Sequence, residues 1–225
     1  PTGFDYWNIL PGQGAYYNPD MIEMGERKRI TGYVTDIVTD AALAWLEQRR
    51  ADRPFCLLLH HKAPHRAWMP APRHLHLYED EEIPLPPTYF DDYEGRGSAA
   101  REQEMEVARH TYPGYDLKLD PASEGRRAKW DQRAVRNRLR RMTPEQRRRW
   151  EAAYGPRNRA FREAKPTGRE LAAYNYQRYI KDYLRCIAAV DENVGRVLER
   201  LDALGLAGET ILVYTSDQGF YLGEH

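Results

Sequence analysis

Apolar positions along the chain change their period several times, and each change marks an expected element. From Tyr33 to Arg50, Ile37, Ala41, Ala44 and Trp45 fall near one face, which predicts a helix capped by Thr35 or Asp36. Pro54-Phe-Cys-Leu-Leu-Leu-His60 is a continuous apolar run between turn formers, the pattern of a strand buried on both faces. Gly168 to Leu204 carries a wide stripe (Tyr176, Tyr179, Ile180, Tyr183, Ile187, Val190) and reads as the longest helix, stopped by Gly205. Glu209 to Thr215 reads as a second buried strand, ending in Ser216-Asp217-Gln218-Gly219. Helices alternating with buried strands predict an α/β fold with a mixed, mostly parallel sheet flanked by helices. In open sheets of that kind ligands bind beyond the carboxyl ends of the strands.

Two stretches have no clear period. Residues 1–32 read as loop with at most one short strand, and Trp7, Tyr16, Tyr17 and Asn18 suit either carbohydrate stacking or ordinary packing. Ala63 to Pro87 holds Pro64, Pro70, Pro72, Pro84, Pro86 and Pro87, which predicts irregular surface chain.

Charge changes the picture locally. The whole chain balances 34 basic against 34 acidic residues, yet 126–169 holds sixteen Lys or Arg and four acids, a net of +12. Trp130, Val135, Leu139, Met142, Trp150 and Tyr154 recur there at helical spacing. The block is expected to form two helices, the second capped by Thr143 with Pro144 in its first turn. It carries no helix-turn-helix, RNP-like or zinc pattern, so nucleic acid is not an expected partner. No run approaches the roughly 20 apolar residues of a membrane span. Cys56 and Cys186 belong to no zinc-like pair and read as buried free thiols.

Two polar turns carry candidate chemistry. Asp217 and Gln218 offer a carboxylate and an amide oxygen, hard donors suited to a divalent cation such as calcium. Taken alone, Asp and Gly after a strand are equally ordinary turn chemistry. His60-His61-Lys62-Ala63-Pro64-His65 follows the other expected strand and would set cationic and proton-donating groups at the same sheet edge. A sulfate or phosphate ester needs such groups, because its leaving oxygen must be protonated and its equatorial oxygens carry charge. A solvated histidine-rich loop is the plainer alternative.

"PFCLLLHHKAPHRAWMPAP", followed downstream by "DENVGRVLERLDALGLAGETILVYTSDQGFYLGEH", resembles the type I sulfatase family of the alkaline phosphatase-like superfamily. "GFDYWNILPGQGAYYNPDMIEMG" ahead of "YVTDIVTDAALAWLE" is similar to bacterial glucosamine-6-sulfatase-like enzymes. The resemblance implies a sulfuric ester hydrolase acting on sulfated saccharide, with calcium and a formylglycine nucleophile made from Cys or Ser. It implies Asp217 and Gln218 as metal ligands and His65 on the sulfate or the bridging oxygen. Lys62 and His225 are expected to border the substrate, and the compartment is expected to be periplasmic or extracellular. On this reading the Arg-rich block either receives sulfated glycan or is a solvated helical pair.

The chain also departs from the family pattern. Neither Cys56 nor Cys186 sits in a CxPSR-type or CxAxR-type modification motif, and the early Asp-Asp metal ligands are missing. The chain therefore reads as an internal fragment, residues 1–225 of a partial catalytic domain with a basic helical insertion at about 126–169. Alone it is expected not to hydrolyse sulfate esters. Two alternatives stay open: a phosphoric or phosphonate ester hydrolase of the same superfamily, and a non-catalytic polyanion-binding protein on a sulfatase-like scaffold.

Overall fold

A computed structural model of the chain describes residues 1–120 and 125–224. The amino-terminal stretch forms three short strands, β1 (Asn8–Ile9), β2 (Asp20–Glu23) and β3 (Glu26–Arg29), in one antiparallel sheet of order β1-β2-β3. β2 and β3 make a hairpin across Met24 and Gly25, whose φ angles are 48° and 96°. Positive φ at both central positions matches the twist of a two-residue hairpin. Sequence pattern concealed it because Met-Gly is not a usual turn pair and β3 is exposed at every residue.

Helix α1 (Val34–Gln48) starts one residue after Tyr33, so Thr35 and Asp36 lie within its first turn and do not cap it. Val34, Ile37, Ala42 and Leu46 are buried, whereas Ala44 points to solvent. Two short helices follow, α2 (Ser98–Glu102) and α3 (Val107–His110). The basic block forms α4 (Arg126–Leu139) and α5 (Pro144–Ala164), as its periodicity indicates. The Thr143 hydroxyl accepts from the Gln146 amide at 3.2 Å, and the Gln146 side chain accepts from the Thr143 amide at 2.9 Å. This reciprocal box satisfies two otherwise unpaired donors. Thr143→Ala is expected to lower stability by about 1 kcal/mol, measured as a shift in the urea midpoint. An unmoved midpoint would show that the cap is redundant.

Helix α6 (Gly168–Ala203) is the spine, 36 residues long and therefore about 54 Å at 1.5 Å per residue. Tyr176, Tyr179, Ile180, Cys186, Ala189 and Val190 enter the main core. Val197 and Leu201 enter a smaller cluster with Leu46 of α1.

Two further expectations need correction. The proline-rich segment is not surface chain throughout: Trp68, Met69, Ala71 and Leu75 are buried in the main core. Prolines bring no N–H needing a partner, which makes such a backbone easier to bury. Cys56 is exposed while Cys186 is buried. Along 55–59, Phe55, Leu57 and Leu59 pack on the smaller cluster while Cys56 and Leu58 face outward, an alternation with the period of a strand half-buried on one face. The runs 54–60 and 209–215 pair with no strand among the described residues, whose one sheet is antiparallel. An apolar run becomes a ladder only when a neighbour takes its N–H and C=O groups. Residues 211–214 are accordingly open to solvent.

Candidate functional site

The turn carrying His65 is held from behind by three buried tyrosines. The Tyr16 hydroxyl donates to the His65 carbonyl at 2.6 Å, Tyr17 to the Pro70 carbonyl at 2.6 Å and Tyr33 to the Met69 carbonyl at 3.0 Å. Each ring is at most 4% exposed, so these tyrosines are packing and clamping groups, not a sugar-stacking platform. Burial pushes all three phenols well above their ordinary range, which keeps them neutral donors. The turn includes two cis peptide bonds, Ala63–Pro64 and Arg66–Ala67.

The His65 ring is exposed, and its Nδ1 lies 2.5 Å from the Arg66 carbonyl. A carbonyl only accepts, so Nδ1 carries a proton, and Nε2 is the nitrogen left to give or take another. His61 differs: neither ring nitrogen has a hydrogen-bond partner among the described residues, and burial lowers its pKa. It is therefore a neutral, enclosed ring.

Ser216, Asp217 and Gln218 lie on an exposed turn in which the Ser216 hydroxyl donates to the Gln218 carbonyl at 2.6 Å. Phe220, three residues past Asp217, packs on Trp68, three residues past His65, with ring centroids 4.9 Å apart. Tyr179 packs on both rings and donates to the Tyr221 carbonyl at 2.5 Å. The two polar turns, about 150 residues apart in sequence, are thus anchored on one aromatic cluster. His225 lies outside the described residues.

Among the described residues no group of three or more His, Cys, Asp or Glu is arranged to hold a metal ion. Asp217 and Gln218 nevertheless bring oxygen donors of the kind calcium takes, two of the roughly six to eight it requires.

A cavity of about 350 Å3 adjoins the His65 turn, bordered by the 11–17 loop, by Asp20, Lys62, Arg66 and Tyr115, by Asn137 and Arg138 in the last turn of α4, and by Arg141 just past it. Its four cations are not equivalent. Arg66 is bound twice by the buried Asp116 carboxylate, at 2.6 and 2.5 Å. Arg141 contacts Asp20 at 2.9 Å and the Asn18 carbonyl at 2.8 Å. Lys62 and Arg138 pair with no carboxylate among the described residues; each rests on a tyrosine ring, Lys62 on Tyr16 and Arg138 on Tyr115. Cation–π contact returns roughly 0.5–2 kcal/mol, less than the several kcal/mol, in order of magnitude, that burying a charge costs. Burial, then the neighbouring Arg138 charge, brings the Lys62 ammonium down to about 8, and burial pushes Arg138 down as well.

Between about 8 and 10.5 the unfolded chain holds the Lys62 proton and the folded one does not. This residue's contribution to stability therefore rises with pH across that window. NMR titration of labelled lysines is expected to show a signal with a midpoint near 8 that disappears in Lys62→Gln. A midpoint near 10 for that signal would count against the geometry. In the sequence Lys62 stands out and Arg138 does not, because one arginine among sixteen basic residues carries no positional signal until α4 is docked.

Known proteins supply an independent comparison. Residues 2–225 match the sulfatase family. The chain is 47% identical over its whole length to an N-acetylglucosamine-6-O-sulfatase of Bacteroides thetaiotaomicron, covering 40% of that protein. Over 52 residues, 23% of the chain and 10% of the relative, it is 46% identical to human iduronate 2-sulfatase. It superposes over its full length, with a TM-score of 0.92 and 46% identity, on 46% of the solved chain of BT4656 in complex with its substrate D-glucosamine-2-N,6-O-disulfate. The chain thus spans less than half of the bacterial relative and of the solved chain it matches. That likeness makes the fold class the α/β, alkaline phosphatase-like one, with the described residues forming part of it.

Proposed function

The chain belongs to the sulfatase family, and from that premise we propose that the protein containing it hydrolyses sulfate esters on sugars, with 6-sulfated glucosamine units as substrate. Identity of 47% to an N-acetylglucosamine-6-O-sulfatase over the entire chain is the observation that carries this reading. The phosphoester and non-catalytic alternatives are not favoured, since the named relatives are sulfatases.

In the proposed site His65 holds a proton on Nε2 for the departing sugar oxygen, its orientation set by the Nδ1 contact to Arg66 and by Tyr16 behind the turn. Lys62 adds positive potential beside that turn, and His225 borders the substrate. Asp217 and Gln218 hold calcium as part of a larger ligand set; the ion, when bound, neutralises charge on the sulfate oxygens. The nucleophile expected of the family is formylglycine. We read 126–169 as a helical insertion and the setting as periplasmic or extracellular; no helix of the described residues is long and apolar enough to cross a membrane.

The test uses the full-length protein with glucosamine 6-sulfate and, in parallel, glucosamine 6-phosphate. Sulfate release that stops on chelation and returns with calcium supports the proposal. Phosphate release without sulfate release would overturn it.

A further inference from the structure

The carbonyl that takes the His65 Nδ1 proton is only as steady as Arg66, the residue that carries it. Arg66 is held at its far end. Its Nε and Nη2 both donate to Asp116, at 2.6 and 2.5 Å. Its guanidinium lies 5.5 and 5.7 Å from the Tyr112 and Tyr115 ring centroids. A two-pronged bond between a guanidinium and a carboxylate fixes direction as well as distance. Asp116 is wholly buried, and it also accepts from the Tyr112 amide at 2.7 Å, which fixes the carboxylate in turn.

The loop that bears Asp116 is tied to three helices. The Gly114 and Tyr115 amides donate to Asp131 of α4 at 2.8 and 2.6 Å. The Leu117 carbonyl accepts from Arg178 of α6 at 3.0 and 2.8 Å, and the Lys118 carbonyl accepts from Asn158 of α5 at 2.8 Å. Asp131 and Arg178 are buried, so these bonds lie in the interior. The chain from Gly114 to Lys118 is a shelf between the helices and the His65 turn. The Arg66–Asp116 pair differs from the chain's other ion pairs in its address: its cation is the residue next to His65 and carries the carbonyl to which the His65 ring is bound.

We propose that Asp116 is a positioning residue for His65. Through its grip on Arg66 it fixes the carbonyl that holds Nδ1–H, and so keeps Nε2 for the departing sugar oxygen. Tyr16 steadies the same turn by its bond to the His65 carbonyl, so the ring is held from two sides. This inference rests on the reading of His65 as the proton donor. It gives α4 and α5 a part in the reaction, since they brace the loop that aims the donor.

The test uses the full-length protein and a sugar sulfate. Asp116→Asn keeps the size of the side chain without its charge. It is expected to lower kcat by about ten- to a hundredfold with little change in KM, the scale of a reacting group set slightly out of place. In a His65→Ala background the same substitution is expected to change kcat by less than about twofold, because a residue acting through His65 has nothing left to aim. An undiminished loss in that background would overturn the proposal. The second readout needs no turnover. With nitrogen-15 histidine and at alkaline pH, two-bond couplings report which ring nitrogen carries the proton, and that choice is set by the bond the ring makes. The His65 signal, assigned by its loss in His65→Ala, is expected to show the Nδ1–H tautomer in the wild type and to move toward Nε2–H in Asp116→Asn. An unmoved tautomer would also overturn the proposal. Arg66→Lys breaks the fork from its other end while leaving the buried carboxylate a cation, and stands in with the same expected shift if Asp116→Asn does not fold. A protein whose turnover survives His65→Ala refutes the proton-donor reading, and the tautomer shift then still supports Asp116 as the group that sets the ring.

Discussion

In the full-length protein, His65→Ala is expected to lower kcat for sulfate release from a sugar by about a hundredfold to ten-thousandfold, the usual scale of a positioned proton donor. KM should move far less, because the proton is needed in the transition state and not for binding. The geometry behind this is specific. Nδ1 donates to the Arg66 carbonyl, so the ring cannot flip without losing that bond, and Nε2 is the nitrogen outside it. Tyr16 holds the carbonyl of the same residue. Tyr16→Phe should accordingly cost much less than His65→Ala, since it loosens the turn without removing the proton. The decisive readout is the leaving group. An aryl sulfate departs as a stable phenolate and needs little protonation, so its hydrolysis should suffer least from His65→Ala. Equal losses on aryl and sugar sulfates would remove His65 from the role of acid.

Asp182→Ala is expected to destabilise the fold by about 3–5 kcal/mol, the scale seen when one member of a buried ion pair is deleted. Asp182 is 1% exposed. It accepts from the Tyr154 hydroxyl at 2.7 Å and from Arg185 at 2.9 Å, and Lys118 lies 3.1 Å away. Burial opposes its charge, but Lys118, Arg185 and Arg178 outweigh that and hold the carboxyl below its usual range. Without it, three cations face one another in the core. Against a typical stability of roughly 5–15 kcal/mol this is a large fraction. Urea unfolding at neutral pH gives the magnitude, and a loss under 1 kcal/mol would contradict the account. The pH profile gives the sign. The folded state keeps Asp182 ionised to lower pH than the unfolded state does, so its stabilisation is present above about pH 4 and fades on further acidification. The variant should lack that component.

Much of this was readable from residue order. The long stripe of α6 and the Thr143-Pro144 start of α5 appear within a residue or two of where period and capping put them. Those signals are local: a helix satisfies its own backbone, and a cap sits beside what it caps. The strand-like runs at 54–60 and 209–215 illustrate the opposite case, because pairing depends on a neighbour that the run itself does not specify. Trp68 shows a third limit. Its neighbourhood is rich in proline and reads as surface, yet its ring is wholly buried and joins the His65 turn to Phe220. At the candidate site the motif residues His65, Lys62, Asp217 and Gln218 were visible because they are clustered in two short turns. The Tyr16, Tyr17 and Tyr33 clamp was not, since its partners are main-chain carbonyls some 36 to 53 residues away.

The open run at residues 211–214 has a practical consequence. Ile211 is 93% exposed, Val213 78% and Tyr214 73%, with Leu212 beside them and no glycine or proline to interrupt the row. Such a ribbon is adhesive: it offers greasy side chains together with unclaimed peptide groups, the combination from which intermolecular β-stacking grows. A purified 225-residue polypeptide should therefore shed from solution as its concentration climbs, and a lysine placed at Val213 should keep it dispersed.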